Sequence, residues 1–358
     1  MNPGTFAGAV PGMPLQQGYM RQVLYPLSGY FYVPKTGYYE VFAIGAGGNG
    51  GLAMVNTQIG CAGGGGGGGC SIKTAYLTKG AVLTITVGAG ATYQAQSSIG
   101  TQTGNSGGNT TVTGGGISLF AGGGAGGTAG TTSGVTYAGG VGGSASGGDL
   151  NFKGGDGGSA IATTTGICAG GGGAVSFYGA NTRGGNASHT GSGRYPVAGG
   201  GGGIGGNGGD ATATSNYAAG AGGSYSSNGT NATSGVAAIT GAIAYLSQFM
   251  GSGTYYNASN FLTPAGPPTN GQNDGASITA YMGSGSGASV GVSVAPNTGG
   301  TSWAFGGSGG VADTSGTASL ALPNVRFGGG NGGGANYLYS VAQNNTIGGL
   351  VVISWVQQ

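Results

Sequence analysis

Residues 61–70 read CAGGGGGGGC, seven consecutive glycines (Gly63–Gly69) held between Cys61 and Cys70. Such a run is either a flexible tether or an element packed through its backbone alone. Glycine loses more freedom on folding than any other residue. At about 1–2 kcal/mol per residue, fixing the 95 glycines of this chain costs on the order of 100–200 kcal/mol. A tether avoids that cost by staying disordered.

The rest of the composition argues against a tether. Gly and Pro make up about 30% of the 358 residues, a level that usually marks low complexity. Disordered chains, however, are poor in aromatics and rich in charge. This one has 19 Tyr, 10 Phe and 2 Trp, and only 4% of its residues are charged. Collagen is excluded, because the tandem pieces (GGNGGDA, GGVGGSASGG, GGDGGSA) lack a strict three-residue period. The net charge is +2 and basic runs are absent, so nucleic-acid binding has no support. No apolar stretch reaches the length of a membrane helix. The opening MNPGTFAGAVPGMPLQQGYM lacks the basic flank and apolar core of a signal peptide. The expectation is a chain that stays where it is made or leaves by a route other than secretion. Cys61, Cys70 and Cys168 are too few for a disulfide framework. Cys61 and Cys70 either pair or sit as small buried hydrophobes, the second reading being preferred.

Strand patterns flank the glycine run. Phe31–Val33 and Tyr38–Ile44 are aromatic and β-branched and are split by Pro-Lys-Thr-Gly, which reads as a hairpin. Leu83, Ile85 and Val87 alternate with threonines, the mark of a half-buried strand. Thr110–Thr113, Ile117–Ala121 and the apolar 348–356 complete the set. Glycine tracts recur at 122–129, 139–158, 169–173, 199–209, 219–223, 305–310 and 328–334. The Gly-poor block Ser224–Pro296 holds one expected short helix at 237–251 and a Pro-rich turn at 261–268. The tracts fit a polyproline-II-like strand, which has three residues per turn and no internal hydrogen bonds. Without side chains, such strands can pack side by side and pair their amides and carbonyls. Seven glycines then span about 22 Å at roughly 3.1 Å per residue.

The order VPKTGYYEVFAIGAGGNGG, poly-Gly, TAYLTKGAVLTITVGAG, NTTVTGGGISLFAGGGAGG and GGLVVISW resembles the glycine-rich domains of tailed-phage fibre and receptor-binding proteins. It is also similar to the glycine-rich extracellular region of anaplastic-lymphoma-kinase-type receptors, from which it takes fold only, since no kinase or membrane segment is visible. The likeness lies in residues 29–127 and 347–356. It implies an all-β fold: a jelly-roll-like β-sandwich from 29–121 plus 348–358, with an arm over 1–28. The region 122–347 is then a glycine-rich insertion of packed polyglycine helices and loops. T-even-like tail-tip adhesins are similar in alternating glycine tracts with variable loops that touch a bacterial surface. The resemblance implies a non-enzymatic virion surface protein, made in the host cytoplasm and exposed on the particle. Its partners would be a host surface glycan or outer-membrane protein and other virion proteins, without membrane insertion. A homo-oligomer is expected, a trimer in the fibre proteins.

Catalytic and metal motifs are weak. No Gly-Lys-Ser/Thr occurs, and G-x-G-x-x-G is uninformative at this glycine content. G-x-S-x-G occurs at Gly104–Gly108 and Gly306–Gly310, with His189 as the single histidine; a nucleophile elbow needs a strand-turn-helix context and a histidine partner. GGNGGDATA (205–213) fits one unit of a calcium repeat but stands alone. Asp149, Asp156 and Asp210 each follow a Gly pair and are expected to bond backbone amides. No cofactor is expected.

The binding candidates are tyrosine-rich segments. Residues 174–196 hold Phe177, Tyr178, Arg183, His189, Arg194 and Tyr195; residues 244–261 hold Tyr245, Phe249, Tyr255, Tyr256 and Phe261; Tyr281 and Trp303 follow. Tyr and Trp among small polar residues make adaptable, low-entropy contact surfaces. The plain alternative is that these rings cover bundle ends or build subunit contacts. Two other functions stay open: a capsid or tail decoration protein, and an ice-binding protein, which would need a flat, regular Thr/Ala face.

Overall fold

The structure is a computed structural model. It describes residues 19–177, 182–224, 228–237, 272–273, 279–280, 288–291, 301–302, 305–314, 320–322 and 327–357. Every regular element among them is a strand. The expected helix at 237–251 lies almost wholly outside the described residues.

Two five-stranded antiparallel sheets share one apolar core. The first runs Tyr19–Tyr25, Leu350–Gln357, Gly37–Ile44, Cys70–Leu77, Leu150–Phe152. The second runs Ala145–Ser146, Ile117–Ala121, Thr110–Gly114, Val82–Thr86, Gly29–Tyr32. Period-two alternation sets the faces. Leu83 and Ile85 are buried against Phe31, Val41, Val112, Leu119 and Ile353, while Thr84 and Thr86 are exposed. The Tyr39 ring stacks on Trp355 at 5.5 Å, and its hydroxyl donates to the Lys35 carbonyl at 2.7 Å. Two findings differ from the sequence reading. Tyr19–Tyr25, expected in the arm, is an edge strand paired with the closing strand. Ala145–Ser146 and Leu150–Phe152, expected in the insertion, extend the two sheets.

The glycine run answers its question in its hydrogen bonds. Gly63, Gly66 and Gly69 donate to Thr128, Ala125 and Gly122. Gly64 and Gly67 donate to Gly158 and Gly155, and Gly65 and Gly68 to Asn331 and Gly328. The partner changes at each residue and returns at every third. The carbonyls behave alike: those of Gly63, Gly66 and Gly69 accept from Gly51, Gly48 and Gly45, those of Gly64 and Gly67 from Gly140 and Gly143, and that of Gly65 from Gly173. Residues 63–69 are therefore encircled by six other stretches of the chain. A Cβ on any of these seven glycines would strike a neighbouring backbone carbonyl, so the close approach demands glycine.

Polar side chains finish the lattice at its rim. Asp156 Oδ1 accepts the Gly142 amide, Asn186 Oδ1 the Ser159 amide, Asp210 Oδ1 the Asn186 amide, and Asn231 Oδ1 the Asp210 amide. Asn207 and Asn228 repeat the pattern for Arg183 and Asn207. Buried amides left without partners are expensive, and these residues supply the acceptors.

Away from the sandwich the tracts run into short strands, mostly parallel and stacked in layers. Leu52–Val55, Gly334–Tyr337 and Val311–Asp313 belong to one layer. Ile59–Ala62, Gly166–Ala169, Pro196–Ala198 and Ala218–Ala219 form the next. Ala160–Ala162, Ala187–His189 and Ala211–Ala213 form a third. The packing between layers is mostly Ala with a few Val, Ile and Cys. Strands that continue side-chain-free rods are spaced by those rods, which leaves room for little more than a methyl group.

Candidate functional site

The chain crosses this molecule in long excursions. Gly37–Ile44 leads through 45–51 to Leu52–Val55, turns at 56–58, and returns through Ile59–Ala62 and 63–69 to Cys70–Leu77. Ile117–Ala121 leaves and Ala145–Ser146 returns in the same way, with Gly122, Ala125 and Thr128 donating to Ser144, Val141 and Ala138. The turns at 56–58, 97–99, 131–135, 163–165, 190–195, 214–217 and 338–340 consequently lie at the ends of the layers away from the sandwich.

These turns interlock. The Gly166 amide donates to Gln58 O at 2.8 Å, Thr165 Oγ1 to Gly193 O at 2.7 Å, and the Leu338 amide to Val55 O at 2.8 Å. The Thr163 amide donates to His189 O at 2.9 Å and the Gly235 amide to Tyr217 O at 2.7 Å. The loops thus form one tip whose floor is fixed by backbone bonds.

The dipeptide Arg194–Tyr195 ties three layers together. The Arg194 guanidinium lies over the Tyr337 ring at 3.6 Å from its centre. Tyr195 packs against His189, with ring centres 5.9 Å apart. His189 is 0% exposed. Its Nδ1 lies 2.5 Å from Thr165 O, and a carbonyl only accepts, so Nδ1 carries the proton. Its buried Nε2 has no hydrogen-bond partner. Burial lowers its pKa below the usual imidazole value, and the bond to Thr165 opposes that shift.

One exposed apolar turn of the tip is Leu338–Tyr339, which follows the half-buried Tyr337. Leu338 adopts φ +69°, a left-handed backbone that disfavours a branched side chain. It is 44% exposed and Tyr339 is 39% exposed. The sequence reading missed this turn, and Tyr217 with it. The available signal was a Gly-poor Tyr-Leu-Tyr between a glycine tract and the closing strand.

The described residues of 174–196 fall in different parts of the fold rather than in one loop. Phe177 packs edge-on against Phe305 at 5.2 Å beside the first sheet. Arg183 lies in the lattice and holds Asp210 with two 2.9 Å bonds. His189 is buried, and of the described candidates in this segment Arg194 and Tyr195 reach the tip. Tyr178, Tyr245, Phe249, Tyr255, Tyr256, Phe261, Tyr281 and Trp303 lie outside the described residues.

The motif serines serve the lattice: Ser308 Oγ accepts the Gly332 amide at 2.8 Å and Ser106 Oγ the Gly126 amide at 3.4 Å. Cys61, Cys70 and Cys168 are free and buried. Cys61 has Cys168, not Cys70, as its registered neighbour, and the Cys168 thiol donates to Ile161 O at 3.2 Å. Burial pushes the Cys70 and Cys168 thiols well above their ordinary range. Among the described residues no group of three or more His, Cys, Asp or Glu could hold a metal ion. A shallow open concavity of about 350 Å³ is lined by Tyr93, Asn344, Asn345 and Ile347. Set against protein-family models and curated proteins, the chain matches none of them.

Proposed function

We propose that this chain is a non-enzymatic virion surface protein, a tail fibre or tip adhesin, that binds a host cell-surface receptor through its tip loops. In this reading the two sheets are a jelly-roll-like sandwich and the tracts are polyglycine-II helices. The rods hold the loops rigidly away from the body, and homotrimers or monomers are both compatible with that geometry. The observation that carries the reading is the convergence of loops from separate excursions on one tip, cross-linked by backbone hydrogen bonds. A rigid scaffold carrying variable polar and aromatic loops is a general design for recognition. The test is saturable binding of labelled protein to candidate host cells, and its loss when tip residues are truncated. Saturable binding that survives every tip truncation would overturn it.

A second reading, a decoration protein, draws on a different observation. Tyr30, Tyr32, Tyr38, Tyr76 and Val356 are exposed on the outer faces of the sandwich, and Tyr38 and Tyr76 pair edge-to-face at 5.2 Å. Localisation on particles separates the two: a distal tip favours the adhesin, a regular lattice the decoration protein.

A further inference from the structure

The geometry points to the turn Tyr337–Leu338–Tyr339 as a stacking platform for an uncharged oligosaccharide, an inference that rests on the tip being the recognition surface. The turn is held on both sides. Gly334–Tyr337 pairs with Leu52–Val55, and Val341–Gln343 pairs with Gln94–Gln96. The Leu338 amide is fixed to Val55 O. One face of Tyr337 is occupied by Arg194. Leucine is a poor choice for a left-handed position, where glycine or asparagine carries no such strain. Its presence there, exposed and beside an exposed tyrosine, favours contact over local stability.

The surroundings narrow the ligand. Among the described tip turns Arg194 is the single charged residue, and its guanidinium is already stacked. Apart from the exposed Ile99 and Val135 and a few glycines, the remainder is hydroxyl- and amide-bearing: Asn56, Thr57 and Gln58 lie between the platform and the threonines at 163–165, joined through Val55 O and Gln58 O. A pyranose has an apolar C–H face that stacks on aromatic and aliphatic side chains. Its hydroxyls exchange hydrogen bonds with Thr, Asn and Gln. An anionic polymer would need several free cations to gain much. A lipid or an amphipathic helix would need a continuous apolar groove, whereas Leu338 and Tyr339, Ile99 and Val135 belong to three separate turns.

The test uses the full chain, fluorescently labelled, on candidate host cells left untreated, oxidised with periodate, which cuts sugar vicinal diols, or digested with proteinase. Tyr339→Ala and Leu338→Gly are compared with Tyr76→Ala, a control on the sandwich, after melting curves confirm folding. The expected result is saturable binding that periodate abolishes and proteinase spares. It should be insensitive to added salt and weakened about tenfold or more by either platform variant, but not by the control. Binding that proteinase abolishes and periodate spares overturns the sugar ligand while keeping the recognition tip. Binding that folded platform variants retain in full, or that collapses with salt, overturns the platform. No saturable binding to any cell overturns the recognition tip itself.

Discussion

The guanidinium of Arg194 sits 3.6 Å from the centre of the Tyr337 ring, which joins a loop of one layer to the strand end of the next. A cation over an aromatic face contributes about 0.5–1 kcal/mol when exposed and about 2 kcal/mol when desolvated. A double-mutant cycle of Arg194→Ala and Tyr337→Leu should therefore return a coupling near 1 kcal/mol in unfolding experiments. Arg194→Lys should recover only part of it, because an ammonium cannot stack. A coupling indistinguishable from zero would show that the two loops hold their places independently.

The central rod makes a sharper prediction. A Cβ on Gly66 would run into the Val141 carbonyl, whereas one on Gly37 meets nothing within 4 Å. Gly66→Ala must push rods apart in a lattice without flexible side chains, so it should destabilise by about 3 kcal/mol or more. Gly37→Ala should be neutral or stabilising by up to about 1 kcal/mol. Thermal unfolding of the two variants beside the parent chain checks this. Equal melting temperatures would mean that the rods are not close-packed.

What the sequence revealed, and what it hid, follows from contact range. The Thr84/Leu83/Ile85 alternation announced its strand because both faces are set by one short segment. The glycine run announced an ordered stretch bonded through its backbone, because a chain so rich in aromatics and so poor in charge is not a tether. Tyr19–Tyr25 stayed hidden because its partner is the closing strand at the other end of the chain. Ala160–Ala162 and Ala211–Ala213 carry no period of their own; their extended form comes from registered neighbours. The same holds for the site. Nothing local in Leu338 and Tyr339 says that they are exposed, since pairing of their flanking strands with Leu52–Val55 and Gln94–Gln96 puts them there. Phe177 and Tyr195 look equivalent in sequence, and only the path of the chain separates them.

Asp210 tests the rim of the lattice. Its carboxylate accepts the Asn186 amide at 2.7 Å and both Arg183 nitrogens at 2.9 Å. Asp210→Ala leaves these donors unsatisfied and should cost about 1–3 kcal/mol, with Asp210→Asn costing less. Since both oxygens are engaged, millimolar calcium should leave the melting temperature unchanged. A calcium-dependent rise that disappears in Asp210→Ala would favour the isolated calcium-repeat reading of 205–213.

The three thiols should be silent in the folded protein. Thiolate is the reactive form, and burial that raises a thiol's pKa suppresses it; Cys70 and Cys168 are both raised by desolvation. An aromatic disulfide reagent at pH 8 should label none of the three until denaturant is added. Rapid labelling of any of them in native protein would show that the layers open readily.

His189 gives the tip a pH dependence whose sign is fixed. Burial depresses its folded pKa below the 6.5 of a free imidazole, so the unfolded chain takes up the proton first as pH falls. The associated stability is complete above about 6.5, declines from there toward the depressed folded value, and is flat below it. Because His189 holds Thr165 O and packs on Tyr195, the loss should begin at the tip. Hydrogen exchange at pH 5 should show faster exchange in residues 163–166 and 190–195 than at pH 7.5, with the sandwich strands unchanged. In His189→Gln the difference between the two pH values should shrink once the intrinsic pH dependence of exchange is removed. A difference of the same size in the variant would assign the acid sensitivity to another group.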